Sequence, residues 1–397
     1  MFRGLLAPAA CGAALILGLL LASPERLQYR EDVAPRGAGE QLLQRLDADF
    51  RRGTYPYISG DEASYFAMAE RPFGDDYLVR RSPYCFRVLE PLLAHGLKGL
   101  GLDTATAFLV IGAVGLFAAG LAVASVLRGT GCSAGSAATG GALFMLTPAA
   151  LVTLATPHVI DAGSWALMFW SWLQWRRGRP VASALLLVAA VLWRETAALL
   201  LLCMVFSTVR SARPKRDLAL VALPVVAAIL LTHLLIQPVQ SFPIGLVVER
   251  VLDVRRAEFG DWDSAQRLLL EYTVHGLGIL SLALVVRSPW RGRTPNDLAP
   301  LLLLPAAALL TLAAFNVSRL LVPAVLGVVV LAVAAIDRDP PGVRALSLSI
   351  VVAVTVALDF AYIRGGSSVS LVVLIAAALA LTAALGRRIG ARDEVRA

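Results

Sequence analysis

Apolar runs of about 20 residues, with few charges inside them, recur along most of this chain and are separated by short polar breaks. A helix needs about 20 such residues to cross the ~30 Å hydrocarbon layer of a bilayer. The pattern predicts segments over 4–22, 103–127, 134–155, 158–175, 181–193, 195–209, 217–237, 266–286, 298–315, 319–336, 345–363 and 368–386. The fifth and sixth are each too short to cross alone, and they meet at Arg194-Glu195. The predicted fold class is an all-α polytopic membrane protein. It is a single integral membrane domain over 1–397, with about 12 transmembrane segments.

Loop charge orients these segments, because cytoplasmic loops are enriched in Lys and Arg. The short basic loops lie at 176–179, 210–216, 287–293, 338–344 and 387–388. All of them fall on one side only if 181–209 enters the membrane and returns. A bent hairpin with Arg194-Glu195 at its turn satisfies that, and both termini are then cytoplasmic; one long tilted helix is the alternative. A charged turn at membrane depth also points to a cavity, since irregular backbone there is tolerated only inside protein or beside water. The stretch 4–22 reads as a first span, with a cleaved signal peptide as the alternative.

Composition agrees with this reading. The chain is 58% hydrophobic and 16% charged, with a mean hydropathy of +0.72, which excludes an ordinary water-soluble enzyme. The net charge of +8 has no Lys/Arg stripe on a soluble domain behind it, so no nucleic-acid partner is expected. Cys11, Cys85, Cys132 and Cys203 are far apart, without metal spacing, and no disulfide framework is expected. Pairs such as Gly115/Ala119 and Gly120/Ala124 are expected to let helices pack closely.

One large polar segment, 24–102, separates the first two spans and lies outside the cytoplasm in this topology. Leu42, Leu43, Leu46 and Phe50 give its first part an amphipathic helix suited to a membrane surface. After the break at Pro56 comes Gly60-Asp61-Glu62-Ala63-Ser64-Tyr65-Phe66-Ala67-Met68-Ala69, a helix in which Asp61, Tyr65 and Ala69 share one face. Ser59 or Asp61 caps it. A second amphipathic helix, Phe86-Arg87-Val88-Leu89-Glu90-Pro91-Leu92-Leu93, follows the Pro83-Tyr84 break. The plainer reading makes Asp61 a cap and Arg87 a solvated charge. A second external segment, 238–265, carries another interfacial helix pattern near Val247 to Leu252.

The order Gly-Asp-Glu-x-x-Tyr-x-x-x-Ala, a Pro-Phe step, then Phe-Arg-Val-Leu-x-Pro-Leu-Leu, all just after the first span, resembles the first external loop of bacterial GT-C superfamily glycosyltransferases. The match in detail covers residues 60–93, with looser support from Trp193-Arg194-Glu195. The resemblance implies membrane-surface helices in that loop and an inverting transferase of the bacterial cytoplasmic (inner) membrane, its site facing the extracytoplasmic side. It implies a polyprenyl-phosphate sugar donor and a lipid, glycan or protein acceptor, with Asp61 as general base. Glu62 is its understudy, and Asp47 or Asp49 weaker substitutes.

The chemistry of such a transfer asks for a base, cations for the leaving phosphate and a groove for the lipid. Arg87, Arg194 and Arg319 are the outer-face cations, with interfacial snorkelling as the plainer reading of Arg319. Adjacent helical residues do not face each other, so Arg194 and Glu195 each need a further partner. Tyr65, His158 and Asp161 complete the expected substrate- and phosphate-binding set, although His158 and Asp161 also suit the capping of the fourth span. No transition-metal site is expected at His158, His233 or His275. No cofactor is firmly implied, though a divalent cation, Mg or Mn, bridging phosphate and Asp61 would fit this chemistry. No nucleotide-binding loop occurs. The competing expectations are a lipid or solute transporter or flippase using the intramembrane charges, and a non-enzymatic partner of envelope polysaccharide assembly.

Overall fold

The computed structural model describes residues 2–21, 60–72, 74, 79, 84–155, 161–211, 213–238, 294–311 and 317–363. Every regular element among them is helical. In chain order these are α1 Phe2–Leu21, α2 Gly60–Glu70, a 3-10 turn Tyr84–Phe86, α3 Leu89–Gly99, α4 Thr104–Gly129, α5 Ala134–Met145, α6 Pro148–Ala155 and α7 Ala162–Arg176. Then come α8 Pro180–Trp193, a 3-10 turn Glu195–Leu199, α9 Leu200–Arg210, α10 Lys215–Leu235, α11 Pro295–Leu298, a 3-10 turn Ala299–Leu302, α12 Leu303–Thr311, α13 Val317–Ile336 and α14 Pro341–Ile363. The expected segments at 266–286 and 368–386, the helix near Leu42 to Phe50 and nearly all of 238–265 lie outside the described residues.

Two of these helices, Thr104–Gly129 and Lys215–Leu235, are long and apolar enough to cross a membrane. Leu5–Leu20 within α1, Pro180–Trp193, Leu321–Ile336 within α13 and Pro341–Ala357 within α14 are further apolar helical stretches. Local chemistry breaks two of the expected segments. The run expected as one segment over 134–155 breaks at Leu146 and Thr147, ahead of Pro148, whose ring and missing N–H cannot continue the helix of α5. The run 181–209 breaks at Arg194, which is fully extended (φ −157°, ψ 121°).

Side-chain contacts define two ends of the bundle. At one end, Trp175 on α7 donates from Nε1 to Ser207 on α9 at 3.1 Å, and Arg213 stacks over the Trp175 ring at 4.4 Å. Arg176 pairs with Asp297 on α11 at 2.8 Å. At the other end, Trp193 closes α8 beside α2 and α3. Thus α8 runs from the Trp175 end to the Trp193 end, and α9 returns, so both ends of 180–210 lie near Trp175.

α4 and α7 cross where Gly115 meets the backbone of Gly163. A Cβ on Gly115 would stand 2.7 Å from the Gly163 nitrogen, so only glycine allows this approach. The main core buries Phe144, Phe169 and Trp172 and extends to Trp175 at its end. α1 contributes Cys11 and Ala14 to that core. By contrast α10 shows solvent-side apolar residues along its length, among them Leu223, Leu230, Leu234 and Leu235. All four cysteines are buried, and none is in a disulfide.

Candidate functional site

A small second core sits at the Trp193 end. Tyr65, Met68 and Ala69 of α2, Ala94 of α3, Phe108 and Ile111 of α4, and Trp193 of α8 bury one another there. It arises because α2 and α3 are too short to stand alone, so α2 buries Ser64 to Ala69 on all sides and α3 its amphipathic face against the tips of longer helices. His95 Nδ1 bonds the Ala69 carbonyl at 2.8 Å, and Glu70 bonds Lys98 and Thr104, which ties α2 to α3 and α4. α3 begins at Leu89 rather than Phe86, because 84–86 form a 3-10 turn that delivers Arg87 ahead of the helix.

Arg87 is the hub of this end. Its Nε and Nη2 donate to the Glu195 carboxylate at 2.9 and 2.7 Å, and its Nη1 donates to the Tyr65 hydroxyl at 2.7 Å. The Tyr84 ring lies under the guanidinium at 5.6 Å and meets Tyr65 edge-on at 5.7 Å. Burial works against the charged guanidinium, but the Glu195 carboxylate and the Tyr65 oxygen outweigh it and hold the pKa above the ordinary arginine value.

Extended backbone at Arg194 sends successive side chains to opposite sides. Glu195 therefore reaches Arg87, while Arg194 pairs with the wholly buried Asp161 at the start of α7. Asp161 holds the N-cap position of α7 without capping it through its side chain. The expectation that Arg194 and Glu195 each need a separate partner describes this arrangement. Arg87 and Arg194, two of the three expected outer-face cations, are each paired with a carboxylate.

The sequence alone did not point to Glu90. It is buried on α3 and accepts a hydrogen bond from Trp193 Nε1. Burial pushes its carboxyl well above the usual range, only partly opposed by that bond. The Trp193 ring in turn lies where a side chain on Gly163 would stand. Amphipathic spacing on a polar loop gives no sign that Glu90 is buried.

A cavity of about 320 Å³ adjoins the cluster. Its described lining is Met68, Pro72, Gly74, Val79, Cys85, Val88, Pro91 and Leu92 from the first loop, and Leu235, Ile236 and Gln237 from the end of α10. Phe86 stacks on His233 at 3.9 Å, holding the loop against α10.

Asp61 and Glu62 occupy the first turn of α2, with Asp61 one turn ahead of Tyr65. Their side chains, that of Arg319 in α13, and all of His158 lie outside the described residues. Thus Tyr65, Arg87, Asp161, Arg194 and Glu195 meet at one end, from segments up to 108 residues apart in their hydrogen bonding. No group of three or more His, Cys, Asp and Glu suited to a metal occurs among the described residues. No protein-family model matches the chain, and no curated protein or solved structure matches it either.

Proposed function

We propose that this protein is a membrane-embedded glycosyltransferase that moves a sugar from a polyprenyl phosphate to an acceptor hydroxyl on the extracytoplasmic face of the bacterial inner membrane. The observation that carries the reading is the fastening of the Asp61 helix, through Tyr65, to the Arg87–Glu195 pair beside a cavity. The alternation between a Trp175 end rich in basic loops and a Trp193 end bearing the first loop supports the twelve-segment topology with cytoplasmic termini. The exposed apolar flank of α10 supports contact with lipid.

In this reading Asp61 takes the proton of the acceptor hydroxyl as its oxygen attacks the anomeric carbon. The bond from that carbon to the phosphate oxygen breaks, and its electron pair leaves with polyprenyl phosphate. Arg87 and Glu195 position α2 for that step. The acceptor is a lipid, a glycan or a protein.

The test is release of polyprenyl phosphate from a panel of polyprenyl-phosphate sugars by the purified protein in lipid discs with a membrane glycolipid extract. Release that needs the extract and disappears in Asp61→Asn is expected. If a broad panel gives no release while the folded protein moves labelled lipid across the bilayer, a flippase replaces the transferase.

A further inference from the structure

Two bridges join the first loop to the end of α8, and only one of them is an ion pair. Arg87 reaches Glu195, while Glu90, three residues on, accepts the Nε1 hydrogen of Trp193. Glu90 is 1% exposed, and no cation among the described residues pairs with it. The charged and titratable groups on the surrounding elements are committed elsewhere: Arg87 to Glu195 and Tyr65, Arg194 to Asp161, and Glu70 to Lys98. His95 turns Nδ1 to the Ala69 carbonyl, Tyr84 lies under Arg87, and Cys85 belongs to the cavity wall. Asp103 caps α4, which carries no charged residue between Thr104 and Leu127. A carboxylate so placed has lost its water and gained one hydrogen bond, a balance that favours the neutral acid. The dipole at the first turn of α3 favours the charged form by only about two- to fivefold, whereas full burial disfavours it by as much as about a thousandfold. The upward displacement of the Glu90 carboxyl by burial agrees with this. On its other side the Trp193 ring is held by α7, at the place a side chain on Gly163 would take. Trp193 is also the last residue of α8, directly before the extended Arg194 that sends Glu195 to Arg87.

We propose that Glu90 is a positioning residue that acts as a neutral acid, holding the Trp193 indole so that Glu195 meets Arg87, and that docking of the first loop takes a proton onto it. The ion pair alone leaves the loop free to pivot about Arg87, and a second bond to the same segment fixes its angle. Val88 and Pro91 beside Glu90 line the cavity, so the cavity wall moves with it. Undocking returns Glu90 to water, where it gives up the proton in the usual carboxylate range. The docked loop therefore binds one more proton than the undocked one from the usual value of 4.5 up to the higher value of the buried acid. Across that window each pH unit favours undocking by about tenfold, and the dependence ends above it. Docking by this route does not depend on what the site transfers; only its effect on transfer rests on the transferase reading.

Hydrogen exchange of the α3 amides in the full-length protein in lipid discs, corrected for intrinsic rates, measures undocking. Protection in the wild type should fall about tenfold between about pH 5 and about pH 6. In Glu90→Gln, whose amide oxygen still accepts from Trp193, it should stay flat. The infrared stretch of a protonated carboxylic acid should be present in the wild type at about pH 6 and missing in Glu90→Gln. A slope that survives Glu90→Gln assigns the dependence to another group, such as His95 or His233, and overturns the proposal. A flat wild-type profile, or an infrared band unchanged by the substitution, also overturns it, because Glu90 is then charged when docked. Glu90→Ala should undock the loop at every pH, and Glu90→Gln should restore docking. Equal protection in Glu90→Ala and wild type removes the positioning role. In the transfer assay Glu90→Ala should lower kcat about tenfold at unchanged KM, as for one lost hydrogen bond, with Glu90→Gln recovering it. If no variant releases polyprenyl phosphate while the exchange and infrared results hold, the docking proton stands and the transferase reading falls.

Discussion

The Trp175 and Trp193 ends of the bundle both bury ion pairs between distant segments, yet they are built for different ends. Around Trp175, Arg176 reaches Asp297, and Asp297 also accepts from the Thr294 backbone and hydroxyl, closing a capping box at the start of α11. Arg213 covers the tryptophan and donates to its carbonyl. Each group there ties one helix end to another. Around Trp193 the ion pairs stand beside a cavity, none of whose described lining comes from the other end. Buried charge by itself therefore does not mark a site; charge gathered at the edge of a space does.

The sharpest way to break this contrast is a pair of variants. Arg176→Ala strands the Asp297 carboxylate and should cost about 3–5 kcal/mol, with transfer per folded molecule unchanged. Glu195→Gln leaves the buried Arg87 guanidinium without its counter-charge and should cost a comparable amount, but transfer should fall about a hundredfold as well, as when one preorganised polar partner is lost. Thermal unfolding in lipid discs and initial rates of polyprenyl phosphate release read the two effects. An exchange of these outcomes would reverse the roles of the two ends.

Gly163→Ala comes next. The added methyl occupies the place of the Trp193 ring, and overpacking of this kind costs about 1–3 kcal/mol. Its stability loss should be accompanied by reduced transfer, because Trp193 precedes Arg194 and Glu195. Unfolding and activity measured on the same sample distinguish this from a purely structural cost.

Acid should weaken the first loop last and least. Burial pulls the Glu70 pKa up, but Lys98 and Thr104 outweigh it and hold the carboxyl below its usual value of 4.5. The charged form is thus favoured on folding. That contribution is complete above the unfolded value and is lost as pH falls through the lower, folded one. With a third of the side chain exposed it amounts to less than about 1 kcal/mol. Melting curves for wild type and Glu70→Gln should be separate above the usual value of 4.5 and converge as pH falls below it.

The helical runs were legible because long apolar stretches have few alternative folds in lipid. The return of the chain at Arg194 could be read from loop charge, since the basic loops on either side of 181–209 belong together. The break inside 134–155 was written in Pro148 but masked by the unbroken hydropathy. At the site, Tyr65, Arg87 and Glu195 were each visible as candidates. Their meeting was not, because no local pattern connects residues 108 positions apart. Glu90 and Cys85 were invisible for a different reason: burial is decided by which neighbours arrive, and a polar loop gives no indication that helix tips will cover it.

The link from Arg87 to Glu195 also has a consequence in time. A chain is made at about 5–20 residues per second, and the carboxylate that Arg87 needs lies 108 residues downstream. The first loop therefore spends about 5–20 s with its principal cation unmatched, while α4 to α8 are synthesised. Docking of α2 and α3 is in this sense a late act of assembly, and a ribosome stalled before Glu195 would display the loop undocked.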